Sequence, residues 1–272
     1  MTTDRQLHRA RVLRYGEPEP ERADDQLAAE EPLELRVDGT ALTVMMRTPG
    51  HDRELVPGFL FAEGIISSRA DLEALTPVPN GEHPDLENIL DAQLGPSAPG
   101  VDRRWQRNFL SATSCGICGV NSIDAIHQSA PPLPDALWHV EADVLYGLDA
   151  KLRAEQAVFS RTGGLHAAGL FTLDGDPVVV REDVGRHNAV DKVVGFALDH
   201  DLLPLDRHIL MVSGRTSFEI VQKALQARIP VLVSVSAPSS LARDLAEASN
   251  QTLIGFLRGR RLNVYAGRQR LV

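Results

Sequence analysis

Apolar and polar residues alternate from Leu33 to Met46, with one interruption at Asp38-Gly39. A period of two on both sides of an Asp-Gly pair predicts a β-hairpin. The period then lengthens. From about Arg53 to Glu63, Leu55, Val56, Phe59 and Leu60 fall three and four residues apart, with Gly64 just beyond, which predicts a helix ending on a glycine. Residues 76–101 are dense in Pro, Gly, Asn and Asp and leave room for one strand near Ile89. Trp105 to Leu110 reads as a strand running into Ser111–Gly119, a segment small and polar enough for a mobile loop. Prolines at 131, 132 and 134 mark 130–138 as a linker.

Beyond the linker the pattern changes. Strands are predicted at His166–Leu173, Pro177–Arg181, Ile209–Val212, Val231–Val235, Thr252–Leu257 and Leu262–Tyr265. Helices are predicted between them at Arg186–His200, Ser217–Arg228 and Ser240–Ser249. In the first of these helices Ala189, Val190, Val193, Val194, Ala197 and Leu198 form an apolar stripe, opposite His187, Asn188, Asp191 and Lys192. Alternating strands and helices predict an α/β domain with a mostly parallel sheet covered on both faces. Ligands of such sheets bind beyond the carboxyl ends of the strands. Those ends carry Glu182–His187, Ser213–Ser217, Ser234–Ser240 and Gly255–Gly259, so a pocket is expected on that edge.

The N-terminal residues 1–31 are rich in Arg, Glu and Asp and have no apolar period, which predicts a disordered or loosely docked arm. The organisation is then an arm, an N-terminal β-rich α+β subdomain over 32–138, and an α/β ligand-binding domain over 139–272. The 272 residues carry 28 Lys and Arg against 37 Asp and Glu, a formal net charge of -9. That balance argues against a protein that coats nucleic acid by neutralising phosphates, and leaves open a small anionic ligand held by a few arginines. No apolar run approaches a membrane span, and the N-terminus has no signal-peptide core, so a cytoplasmic protein without a membrane partner is expected.

The two cysteines, Cys115 and Cys118, stand three apart in Cys-Gly-Ile-Cys-Gly, and in a cytosolic chain that spacing suggests chemistry rather than a structural disulfide. Half a zinc site is one reading, but it needs two more ligands and the chain has no further cysteine. A thioredoxin-like dithiol is a second; glycines at 116 and 119 favour a turn over the helix start such a motif opens. A third is a thiolate nucleophile that carries a persulfide, for which Arg103, Arg104 and Arg107 lie just upstream. Two small buried residues without chemistry are the fourth.

Three other segments are ambiguous on their own. Arg161–His166 is a glycine loop near a ligand or a tight turn before a strand. Glu182–Lys192 packs seven polar or charged residues, His187 among them, into a strand-to-helix junction, either a site or a solvated face. Ser213-Gly214-Arg215 precedes a helix whose N–H groups and arginine suit an anion, while Thr216-x-x-Glu219 matches a capping box that would use the same donors.

Taken together, these segments resemble the formate dehydrogenase accessory sulfurtransferase family of FdhD/NarQ type. The resemblance rests on Thr48–Ile66, Cys115–Gly119, Thr162–His166, Glu182–Lys192, Ser213–Glu219, Ser236–Ser240 and Thr252–Gly259, in that order, and spans about Leu33 to Arg270. It implies a sulfurtransferase that takes sulfur from a cysteine desulfurase as a cysteine persulfide. It further implies transfer to the molybdenum bis(molybdopterin guanine dinucleotide) cofactor, bound as substrate, for formate dehydrogenase; a cofactor chaperone without transferase activity is the alternative. By the same resemblance Cys115 carries the persulfide, Cys118 assists or resolves, and Ile254, Gly255, Phe256, Leu257, Arg258 and Gly259 bind the cofactor, in a homodimer. The resemblance also implies a cytidine-deaminase-like three-layer sandwich. A zinc deaminase needs thiolates at its second helix start. The equivalent places here hold Arg186-His187-Asn188 and Ser213–Ser217, so no resident metal is expected, and Ser213, Gly214, Arg215 and His187 are expected at the cofactor.

Overall fold

A computed structural model describes residues 5–16, 19–81, 87–101 and 130–272. The strand expected at Trp105–Leu110, the three arginines beside it, and Cys115 and Cys118 lie outside the described residues.

The first elements are β1 (Leu7–Arg14) and β2 (Glu21–Ala28), an antiparallel two-stranded ladder from Leu7↔Ala28 to Arg14↔Glu21. Where described, the segment 1–31, expected as a disordered or loosely docked arm, has the form of a two-stranded ribbon. It is largely exposed and held at its base: Ala29 N–H donates to Gln6 O (2.8 Å) and Arg161 Nε to Gln26 Oε1 (2.9 Å).

The predicted hairpin forms as β3 (Glu31–Val37) and β4 (Thr40–Arg47), turning at Asp38 and Gly39, both at positive φ. The predicted helix forms as α1 (Asp52–Ala62), and Gly64 follows at φ 71°. Two strands complete this sheet, β5 (Leu72–Pro77), which the sequence reading missed, and β6 (Ile89–Leu94), in the order β4-β3-β6-β5.

Three short helices follow the linker: α2 (Ala142–Tyr146), α3 (Leu148–Ala154) and α4 (Phe159–Thr162). The chain continues through β7 (His166–Thr172), β8 (Pro177–Asp183), α5 (Arg186–Asp199), β9 (His208–Val212) and α6 (Phe218–Gln226). It ends with β10 (Val231–Ser234), α7 (Ser240–Ala248), β11 (Thr252–Arg258) and β12 (Arg261–Ala266).

The second sheet runs β12-β11-β10-β9-β7-β8. Only β9, β10 and β11 are mutually parallel; β7, β8 and β12 run against their neighbours, which corrects the mostly parallel sheet expected. The reason is local. A turn closed by Gly175 N–H on Thr172 O joins β7 directly to β8, and a hairpin turn through Gly259 joins β11 to β12, so neither pair leaves room for a crossover helix.

Successive strand residues face opposite ways. Leu210 and Val212 of β9 join the core under α5, α6 and α7, whereas Ile209 and Met211 join Leu145, Leu148 and Leu152 of α2 and α3. Helices thus cover both faces. The larger core is continuous with the first sheet through Leu33, Leu35 and Leu55.

The joint between the sheets is the crossing of α1 and α5. Gly58 and Gly195 allow it: a Cβ at Gly58 would overlap the Asp191 carbonyl, and one at Gly195 the Glu54 carbonyl. Arg181 of β8 grips Glu54 of α1 through both carboxylate oxygens (2.5 and 2.7 Å).

Candidate functional site

The carboxyl ends of β9, β10 and β11 open into a cavity of about 670 Å³, on the edge where strand-end reasoning put a pocket. One wall is Ser213, Val235 and Leu257–Gly259 at the three strand ends. Gly163, Gly164, Leu165 and His166 form the floor before β7, and α3 with the start of α4 supplies Asp149, Leu152, Arg153, Gln156 and Phe159. Gly163 takes φ 66°, so Arg161–His166 is a turn and a cavity wall at once.

The wall from α3 and α4 carries residues that sequence reasoning missed. Arg153 is exposed, and its guanidinium carbon stands 4.3 Å from the Phe159 ring centroid. Glu182 anchors the backbone that carries the ring: its two carboxylate oxygens accept the N–H groups of Val158 (2.9 Å) and Phe159 (2.7 Å). Gln156 is buried and its Nε2 has no hydrogen-bond partner. Among the described residues neither Arg153 nor Arg258 has a carboxylate within ion-pair distance, whereas Arg47, Arg69, Arg181 and Arg243 are all paired.

Of the cofactor residues expected over 254–259, the structure separates two groups. Ile254 and Leu257 are fully buried in the core beneath α2 and α3, so their side chains pack the sheet. Phe256, Arg258 and Gly259 are exposed. Leu257, Arg258 and Gly259 line the cavity. Phe256 has φ 54°, at a register shift between Gly255 and Arg258 that lifts β11 out of regular pairing with β12. Gly255 is required there, since a Cβ would press on Pro238 Cδ, Ser236 O and Tyr265 Cε2 at 3.0 Å each.

Ser213 lines the cavity, and its Oγ accepts the Ala167 N–H (2.8 Å). Gly214 packs on His166, whose Nδ1 would lie 3.1 Å from a Cβ. His166 itself is pushed below the usual imidazole pKa, by burial first and then by the positive charges of Arg186 and Arg215, with Asp183 opposing. This imidazole on the cavity floor therefore experiences a positive field. Arg215 is exposed and unpaired by any described carboxylate.

His187 is not a cavity residue. It is buried at the start of α5, with Nε2 3.0 Å from Ser217 Oγ and 3.6 Å from Glu219 Oε2. Burial acts to raise the Glu219 carboxyl, and the hydrogen bonds from His187 and Ser217 override it, holding the group at about 2. The capping box expected from Thr216 and Glu219 does not form. Ser217 is the N-cap of α6, Thr216 Oγ1 is buried without a partner, and the Thr216 backbone bridges Ala237 and Ser239. Ser236–Ser240 leads into a helix start: Ser239 is the N-cap of α7, and its Oγ accepts the Ala242 N–H (3.2 Å).

The polar stripe of α5 is not a solvated face. Asp191 and Lys192 are buried: Lys192 pairs with Asp183 (2.7 Å), and Asp191 with Lys223 of α6 (2.7 Å). Among the described residues no group of three or more His, Cys, Asp or Glu comes together as a metal-ligand set, and no helix is long and apolar enough to cross a membrane. The cavity is suited by its chemistry to a mixed ligand, one with a planar or apolar part and a negatively charged part.

The sequence model of the FdhD/NarQ family matches residues 28–272. The "Sulfur carrier protein FdhD" of Streptomyces coelicolor is 48% identical over 271 residues, covering 98% of this chain and 96% of that protein. The protein of the same name from Mycobacterium tuberculosis is 50% identical over 253 residues, 91% of this chain and 92% of its own. A solved structure from Desulfotalea psychrophila, described as a formate dehydrogenase accessory protein, superposes with a TM-score of 0.79 at 22% identity, over 98% of this chain and all of that one. At that identity the likeness is one of fold.

Proposed function

The chain belongs to the FdhD/NarQ family, and on that premise we propose that it is a sulfur carrier in formate dehydrogenase maturation. Its names among close relatives support the sulfur-carrying part. The cavity supports the rest: unpaired Arg153 and Arg258, apolar walls and a positive field at His166 suit a guanine dinucleotide, so the substrate is the molybdenum bis-guanine-dinucleotide cofactor. The unpaired arginines at the strand-end cavity are the observation that carries this reading. A deaminase-like scaffold for the second sheet is part of the same proposal; Arg186, His187 and Ser213–Ser217 would then stand where a deaminase holds zinc.

In this reading Cys115, as thiolate, attacks the outer sulfur of a cysteine desulfurase persulfide. The S–S bond of the donor breaks, and the desulfurase cysteine leaves as thiolate. Once the cofactor is bound, attack of Cys118 on the inner sulfur of Cys115 expels the outer sulfur as sulfide toward molybdenum, leaving a Cys115–Cys118 disulfide that a dithiol reductant reopens to two thiols. Arg258, Gly259 and Ser213 hold the nucleotide end meanwhile, and Arg186 and Arg215 maintain the positive field. The working unit is a cytosolic homodimer, and the recipient of the sulfurated cofactor is formate dehydrogenase.

The test is complementation of a host lacking its own carrier. Wild type restores formate dehydrogenase activity and Cys115→Ala does not. Full restoration by Cys115→Ala would leave a protein that only holds and delivers the cofactor.

A further inference from the structure

The α3–α4 wall of the cavity carries a cation on an aromatic ring. Among the described residues Arg153 has no carboxylate partner, its guanidinium carbon lies over the Phe159 ring 4.3 Å from the centroid, and the residue is exposed. A guanidinium is flat, so stacking one face on an aromatic ring presents the second face, parallel to the first, to whatever enters. The backbone that carries the ring is anchored, because Glu182 takes the N–H groups of both Val158 and Phe159. Leu152 and Leu165 continue the wall with apolar surface. The opposite wall differs in kind: Arg258, Gly259 and Ser213 bring a positive charge and polar groups without an aromatic plane.

We propose that Arg153, backed by Phe159, is the platform on which the planar base of a bound nucleotide stacks, while the Arg258–Gly259 side receives its phosphates. The proposal rests on the nucleotide reading above and deepens it by assigning the base and the phosphates to opposite walls. Glu182 is then a positioning residue, acting through Phe159.

Titration calorimetry with three probes separates the walls: GDP, guanosine and inorganic pyrophosphate, each against wild type, Arg153→Ala, Arg153→Lys and Phe159→Ala. Base stacking removed by truncation corresponds to about a tenfold loss of affinity or more. Arg153→Ala and Phe159→Ala are expected to weaken GDP and guanosine by that factor and to leave pyrophosphate within about twofold of wild type. Arg153→Lys keeps the charge and loses the plane, so it is expected to follow Arg153→Ala for guanosine. Because Arg153 is exposed, its two variants keep the fold, and circular dichroism verifies this for Phe159→Ala. Guanosine binding unchanged in the Arg153 variants, or pyrophosphate binding lost in them, would overturn the platform. Wild type that binds GDP while all variants bind it equally well removes the platform alone; wild type that does not bind GDP removes the nucleotide reading itself.

Discussion

Lys192 Nζ lies 2.7 Å from Asp183 Oδ2, with neither side chain reaching solvent. The pair is fully hydrogen-bonded. Lys192 also donates to Thr48 O (3.0 Å) and Glu182 O (3.2 Å), while Asp183 accepts from Thr48 N, Gly185 N and Asn188 Nδ2. The loop at Thr48 and the junction at Glu182–Asn188, 134 residues apart between Thr48 and Glu182 in numbering, are thus one structural unit. Breaking a buried pair leaves an uncompensated charge and costs about 3–5 kcal/mol. Lys192→Met is expected to lose stability in that range by urea unfolding, and Asp183→Asn combined with Lys192→Met to lose less than the two single variants summed.

The α1–α5 crossing depends on two missing side chains. Gly58→Ala and Gly195→Ala each force a methyl group into a backbone carbonyl of the facing helix, with no flexible side chain to yield. Overpacking of this kind costs about 1–3 kcal/mol and more where only backbone can shift. Both variants are expected at or above the upper end by denaturant midpoint, whereas Gly81→Ala, which meets nothing within 4 Å, is expected to be near neutral.

His51 precedes α1 at φ 59°, and its imidazole is lowered from 6.5 to about 4, by burial first and then by Arg181 and Lys192, with Glu54 opposing. Between those two values the unfolded chain binds a proton that the folded chain does not, so stability rises with pH across that window. The contribution is fully present above about 6.5 and lost as pH falls through about 4. His51→Asn keeps a residue that tolerates the left-handed region and removes the titration. Its stability is expected to fall less steeply than that of wild type between these two pH values, measured by urea midpoints; parallel curves would contradict this.

Arg258→Ala removes a cation from the phosphate-facing wall. Hydrogen bonds to charged groups contribute about 1.5–3 kcal/mol, so a loss of about tenfold or more in GDP affinity is expected. The salt dependence of binding should flatten as well, because a screened charge has gone. Calorimetry at two ionic strengths reads both.

Much of this arrangement was legible in the sequence. The Asp38-Gly39 hairpin, the helix before Gly64 and the strands and helices from His166 onward follow from periodicity and turn chemistry, because each buries one regular face. The Asp174-Gly175 turn is a signal of the same kind as Asp38-Gly39 and explains why β7 and β8 are antiparallel. The short helices α2 to α4, of which α3 and α4 wall the cavity, were harder to see. They span five, seven and four residues, too short for a period to stand out, although Leu145, Leu148 and Leu152 keep helical spacing. Burial of Asp191 and Lys192 was also hidden, since their partners Lys223 and Asp183 come from other elements. Ile254 and Leu257 share a glycine-bearing segment with Arg258, and they pack one core although three residues apart because of the register shift between Gly255 and Arg258, which has no signal in the sequence.

The central claim is that sulfur travels on Cys115. Intact-protein mass spectrometry after incubation with a cysteine desulfurase and cysteine reads it directly. Wild type and Cys118→Ala are expected to gain one sulfur atom that a reductant removes, and Cys115→Ala to gain none; the added sulfur persisting in Cys115→Ala would contradict the account.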